Sequence, residues 1–161
     1  MTKLLENTEF YMLPSFLSSL FGQNVELLSS VDELFELELA HLEYATLPKN
    51  ELLNRLAYFK SIEQEPTKHF LMYNFYAAAL SDNRSIATKN YFENGIFSTG
   101  YATHGLFPYR GKFHPQLIKA LLNIIGIRKG ETILDPMCGS GTANVEAALM
   151  GIMIPKIWTT K

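Results

Sequence analysis

The stretch Ile133-Leu134-Asp135-Pro136-Met137-Cys138-Gly139-Ser140-Gly141-Thr142 decides the fold. Ile133 to Asp135 reads as the end of a buried strand. Gly139 to Gly141 reads as a tight glycine turn, and Ala143 to Met150 (ANVEAALM) as a helix. A strand, a glycine turn and a helix N-terminus together form a seat for the polar end of a nucleotide-like ligand. Glycines let the backbone approach the ligand, and the helix N-terminus offers free N–H donors.

Upstream, Pro115 opens a helix with Leu117, Ile118, Leu121, Leu122 and Ile125 on one face, and Gly126 is its stop. Arg128-Lys129-Gly130 then turns into the strand at Thr132. Loop, helix, strand, glycine turn and helix in this order open an α/β sheet, whose ligands bind at the carboxyl ends of the strands. Before that helix, Asn94 to Phe113 is broken by Gly95, Gly100, Gly105, Pro108 and Gly111, with aromatic and basic residues crowded between them. Function concentrates on loops held by a rigid frame.

Three nucleotide motifs compete for the turn. A phosphate loop needs Lys after the glycines, but Thr142 and Ala143 follow Gly141. A dinucleotide fingerprint needs Gly or Ala where Asn144 stands. The third candidate fits best. Asp135 to Thr142 resembles the cofactor motif of class I S-adenosylmethionine-dependent methyltransferases, in the branch that methylates exocyclic amino groups of bases in DNA. The segment Thr103-His104-Gly105-Leu106-Phe107-Pro108-Tyr109-Arg110-Gly111-Lys112-Phe113-His114-Pro115 is similar to the one that precedes the motif in that branch and folds over the cofactor. The resemblance covers roughly Gly100 to Gly151.

The resemblance implies an α/β fold, the start of an open, incomplete Rossmann-like sheet; the region before it reads from its own pattern as mainly helical. The resemblance also implies S-adenosylmethionine as cofactor, held by Asp135, Pro136, Cys138, Gly139, Gly141 and Thr142 of the turn and by Phe107, Tyr109, Lys112 and Phe113 of the upstream loop. Asp135 would favour the cofactor's ammonium, and the turn N–H groups its carboxylate. The aromatics would line its apolar side or meet its sulfonium by cation–π attraction. The alternative for Asp135 is a carboxylate that caps the following turn. Cys138 reads as a small buried loop residue with no activating His or Lys in sequence. Ser140 and Thr142 read as helix caps, and His104 and His114 as loop hydrogen-bonding groups or ligand contacts. The implied partner is DNA, with RNA the nearest alternative.

Two family features are absent from this sequence. Met153 stands where an acid for the ribose hydroxyls is expected, and Pro155 suits a central strand poorly. The catalytic loop, a polar residue followed by Pro-Pro-aromatic, is also missing, because no two of the prolines at 14, 48, 66, 108, 115, 136 and 155 are adjacent. The expectation is therefore the N-terminal part of a methyltransferase, inactive alone and completed by its missing C-terminal part, with no catalytic residue of its own. The rival is a helical interaction protein that carries a methyltransferase remnant.

Residues 1–93 are expected to form the helical region and 94–161 the start of the methyltransferase domain. In the first, Pro14 to Gly22 reads as a short helix. Ser30 with Glu33 reads as a capping box, and Val31, Leu34, Phe35, Leu39 and Leu42 as the apolar face of the helix it starts. Leu52, Leu53, Leu56 and Phe59 predict a further helix past Pro48, and Phe70 to Leu80 a buried one. The 161 residues are 47% hydrophobic and 19% charged, which predicts a folded core. The net charge of −2 gives no global sign of nucleic-acid binding, yet Asn94 to Gly130 holds no acid beside Arg110, Lys112, Lys119, Arg128 and Lys129. One cysteine excludes an intramolecular disulfide and an all-thiolate metal site, and fits a cytoplasmic protein. No apolar run reaches membrane-helix length, and the N-terminus has no signal-peptide pattern.

Overall fold

The computed structural model describes residues 13–72, 103–104 and 111–155. Helix α1 (Pro14–Phe21) starts on its proline and ends at Gly22, whose φ of 70° supplies the left-handed stop. Strand β1 (Val25–Leu27) leads to helix α2 (Leu34–Thr46). A 3-10 turn (Lys49–Glu51) and a single helical turn, α3 (Leu52–Arg55), follow. Strands β2 (Phe59–Ile62) and β3 (Glu65–Pro66) come next, and residues 68–72 are helical. Helices α4 (Pro115–Ile125) and α5 (Thr142–Leu149) carry the second half.

The three strands form one antiparallel sheet in the order β1-β2-β3. Among the described residues, the N-terminal region thus adds a small antiparallel sheet, which the sequence reading did not foresee, to its helices. These strands have three, four and two residues, too few for alternation to stand out in the sequence. The helix expected through Phe59 stops at Arg55, and Phe59 enters β2, where it is fully buried. Phe21, Tyr44 and Phe59 pack ring to ring, with Phe21 edge-on to both partners. In 68–72, Leu71 is exposed, so the start of the expected buried helix is not wholly covered. The remainder of that stretch, the turn at Ser81 to Asn83 and most of the loop from Asn94 lie outside the described residues.

Two helices bury only part of the face expected. In α2, Leu34, Phe35 and Leu42 are about half exposed, while Leu37, Ala40 and Glu43 are buried. Its capping box is Glu33 with Glu36, and Ser30 instead hydrogen-bonds Gln116. In α4, Leu121 and Ile125 are exposed, while Gln116, Lys119, Ala120, Leu122 and Asn123 are buried. The reason is polar pairing between α2 and α4 across the chain. Glu43 accepts from Ala57 N at 2.9 Å, Tyr58 N at 3.1 Å and Asn123 Nδ2 at 2.9 Å. Asn123 Oδ1 accepts from Arg55 Nε at 3.0 Å, and Arg55 also donates to the carbonyl of Ile127 at 2.6 Å. Gln116 Nε2 donates to the carbonyl of Ala57 at 2.9 Å. Buried polar groups persist only with such partners.

Ala120 belongs to the large core shared by α1, α2 and the sheet, so α4 is packed into the N-terminal region. Its other side meets α5 through a second cluster of Leu122, Ala147 and Ile152. The expected strands are represented by one parallel bridge, Thr132 to Met153, with Ile133 N donating to the carbonyl of Met153 at 3.0 Å. Leu134 is 64% exposed, so the strand expected to be buried is open on one side here.

Candidate functional site: the glycine turn and its surroundings

The bridge brings the chain to Asp135. Its Oδ1 accepts from Met137 N at 3.1 Å, which closes an Asx turn over Pro136. The capping alternative for Asp135 is therefore realised, but it engages one carboxylate oxygen. Cys138 O then accepts from Gly141 N at 2.6 Å. Gly139 and Gly141 have φ of 49° and 78°, a left-handed backbone that side-chain-bearing residues rarely adopt. A Cβ on Gly141 would meet nothing within 4 Å, and one on Gly139 only Met137 O at 3.8 Å. Conformation, not crowding, calls for glycine, and it leaves backbone exposed at the turn.

Helix α5 begins directly after Gly141 with no side-chain cap. Ser140 and Thr142 do not cap it; their hydroxyls lie 3.2 Å apart and bond each other. The first N–H groups of α5 thus keep their capacity for an anion. Thr142 is buried, and Cys138 is exposed rather than the buried loop residue expected. One turn into α5, Asn144 Oδ1 is a buried acceptor without a hydrogen-bond partner. A free carboxylate oxygen, an orphaned amide acceptor and a row of free N–H groups suit a ligand that carries both an ammonium and a carboxylate. The residues present fit the polar end of S-adenosylmethionine.

The upstream loop is described only in part, and Phe107 and Tyr109 lie outside the described residues. Lys112 Nζ donates to the carbonyl of His104 at 2.6 Å, so its ammonium ties the loop to itself. Phe113 is 66% exposed. His104 is buried and hydrogen-bonded through Nε2 to Glu146 Oε1 of α5 at 2.7 Å, the loop-bonding role considered for it. His114 precedes α4 as its N-cap residue without a side-chain cap bond.

A polar cluster that sequence reasoning missed adjoins this pair. Lys119 is buried, and its Nζ donates to His69 Nδ1 at 3.3 Å. Burial pulls Lys119 down to about 8, against the attraction of Glu146 and Glu43. Burial, then the Lys119 charge, holds His69 well below its ordinary value. Burial pushes Glu43 up to about 7 despite its three donors. The available signal was the polar stripe Gln116, Lys119 and Asn123 at helical spacing, which reads as a solvated face unless its partners are known. Among the described residues no group of three or more His, Cys, Asp or Glu could hold a metal ion. Among them, too, no helix is long and apolar enough to cross a membrane.

Comparison with known proteins points the same way as the turn. Residues 106–160 match the family model described as RMKL-like, methyltransferase domain. Over 48 residues the chain is 42% identical to a tRNA (guanine(10)-N2)-dimethyltransferase of Methanothermobacter thermautotrophicus, covering 30% of this chain and 14% of that protein. It is 47% identical over 49 residues to the type II methyltransferase M.MjaII of Methanocaldococcus jannaschii, covering 30% of this chain and 9% of that one. The type II methyltransferase M.BsoBI of Geobacillus stearothermophilus is 41% identical over 49 residues, again 30% of this chain and 10% of the relative. The chain thus spans about a tenth of the length of these curated relatives. No solved structure matches it. These similarities are all to methyltransferases, and they include relatives named for tRNA as well as type II enzymes.

Proposed function

We propose that this chain carries the cofactor-binding turn of an S-adenosylmethionine-dependent methyltransferase that modifies an exocyclic amino group of a nucleic-acid base, with DNA as the substrate. The supporting observation is the strand-end carboxylate set before two left-handed glycines and an uncapped helix, within residues that match methyltransferases. Asp135 would hold the ammonium through the oxygen its turn leaves open. The N–H groups at Gly139 to Thr142 would hold the carboxylate. Lys112, by fixing the carbonyl of His104, and His104, by its bond to Glu146, would anchor the two ends of the loop beside α5. When bound, the cofactor supplies a methyl group to a nucleophile. A Rossmann-like sheet continuing from the parallel bridge belongs to the same proposal, as does completion of the site by a further α/β part.

RNA is the second reading, favoured by the tRNA dimethyltransferases among the relatives. Tritium transfer from methyl-labelled S-adenosylmethionine to duplex DNA and to a tRNA transcript, by the chain together with the further α/β part that completes the site, separates the two. Label in DNA that Asp135→Ala abolishes is the expected result. Label confined to tRNA would carry the second reading. Label in neither, with no cofactor retained by the protein, would overturn both.

A further inference from the structure

A cavity of about 470 Å³ lies at the opposite end of α5 from the glycine turn, against Ala148, Leu149 and Met150. An eight-residue helix is about 12 Å long, so this is a separate place. Its walls carry Arg55, Lys68, His69, Lys119 and Lys129, and one carboxylate, Glu146. Arg55 is already paired with Glu51 at 3.0 Å, and Glu146, which also hydrogen-bonds His104 at 2.7 Å, is the one wall carboxylate left to face the three lysines. For Lys68, Lys119 and Lys129, no carboxylate of the described residues comes within ion-pair distance.

Lys119 makes the imbalance acute. Its side chain is buried, and its hydrogen bond goes to a neutral imidazole rather than to an anion. Buried charges are ordinarily paired. The C-terminal end of α5 offers roughly half a negative charge, too little to balance three ammonium groups. Lys129 is held in place by the backbone. Its Cγ lies 3.0 Å from where a Cβ on Gly151 would stand, so its stem crosses a glycine whose φ is 72°. Gly130 N donates to the carbonyl of Gly151 at 3.0 Å and fixes that crossing.

We propose that this cavity binds a phosphate group, with Lys119 in its wall and Lys68 and Lys129 at its rim supplying the donors. A phosphate offers several acceptor oxygens to ammonium donors and supplies the countercharge that the single Glu146 carboxylate leaves unmet. The volume admits a phosphate ester and not only the free ion. Such a group comes either from a nucleic-acid backbone or from a small phosphate ester, and the site does not depend on the cofactor assigned to the glycine turn.

The test is titration of the chain with sodium phosphate against sodium chloride of equal ionic strength, read by thermal unfolding and calorimetry. Saturable stabilisation with a dissociation constant in the low millimolar range or tighter is expected. Lys68→Ala with Lys129→Ala, both exposed sites, should weaken it at least tenfold. Lys119→Met should abolish it with the far-ultraviolet spectrum retained; where that variant does not fold, the rim pair decides. No saturable response beyond chloride, or an unchanged constant in the rim pair, would overturn the site. A labelled single-stranded oligonucleotide then names the source. Binding that phosphate competes away and the rim pair weakens assigns a nucleic-acid backbone. Phosphate binding with oligonucleotide binding unaltered by the rim pair assigns a small phosphate ester.

Discussion

Gly141 shows how much a single residue contributes at the turn. Its φ of 78° is left-handed, and the space around it is open. Gly141→Ala should therefore cost backbone strain of about 1–2 kcal/mol and no clash. For a chain of this size that is a fall of a few degrees in melting temperature, measurable by calorimetry. Asn123 is the counterpart in the interior, where it bonds Glu43, the Arg55 side chain and the Arg55 carbonyl. Asn123→Ala should leave buried charged groups short of a partner and cost about 3 kcal/mol. A loss under about 1 kcal/mol in urea unfolding would show that the network is not tight. Residues of the first kind were legible, because glycine at a turn declares its backbone. Asn123 was not, because its meaning lies in Glu43, 80 positions away.

Among the elements, helices punctuated by proline and glycine matched their sequence signals. Pro14 and Gly22 bound α1, and Pro115 and Gly126 bound α4. Helix α5 begins one residue before the position expected from the turn. What local sequence misled about was orientation. Apolar spacing in α2 and α4 pointed to faces that are partly exposed, because polar residues took the buried positions. Phe16, Leu20, Leu34 and Leu42 line a shallow groove between α1 and α2, over the buried Leu37. The element-scale prediction follows from Glu43. Its pKa, raised to about 7 from 4.5, means that the folded chain keeps a proton that the unfolded chain has released between those pH values. Stability therefore falls as pH rises through that window. Glu43→Gln lacks this term, so the stability of the wild type minus that of the variant should decline between pH 4.5 and 7. The shift corresponds to about 3 kcal/mol at most. A pH-independent difference in urea midpoints would contradict it.

For the whole molecule, the N-terminal region and the methyltransferase-like segment meet on α4. Ala120 sits in the core shared with α1 and α2, and Leu122 in the cluster with α5. Lys119 lies between these two sides. Its pKa, lowered to about 8 from 10.5, means that the unfolded chain holds a proton that the folded one lacks in that range. Stability should then rise from pH 8 toward 10, and Lys119→Met should remove the rise. Denaturant midpoints across that range check it, with a flat wild-type profile as the adverse result. The general class was legible in the turn, but the joining of the two regions was not, since it depends on polar contacts between distant segments. The central claim concerns the turn itself, and calorimetric titration of S-adenosylmethionine into the wild-type chain and Asp135→Ala tests it most directly. The account predicts saturable one-site binding that Asp135→Ala weakens at least tenfold, about 1.4 kcal/mol. No saturable binding by the wild type, or equal affinity in the variant, would contradict it.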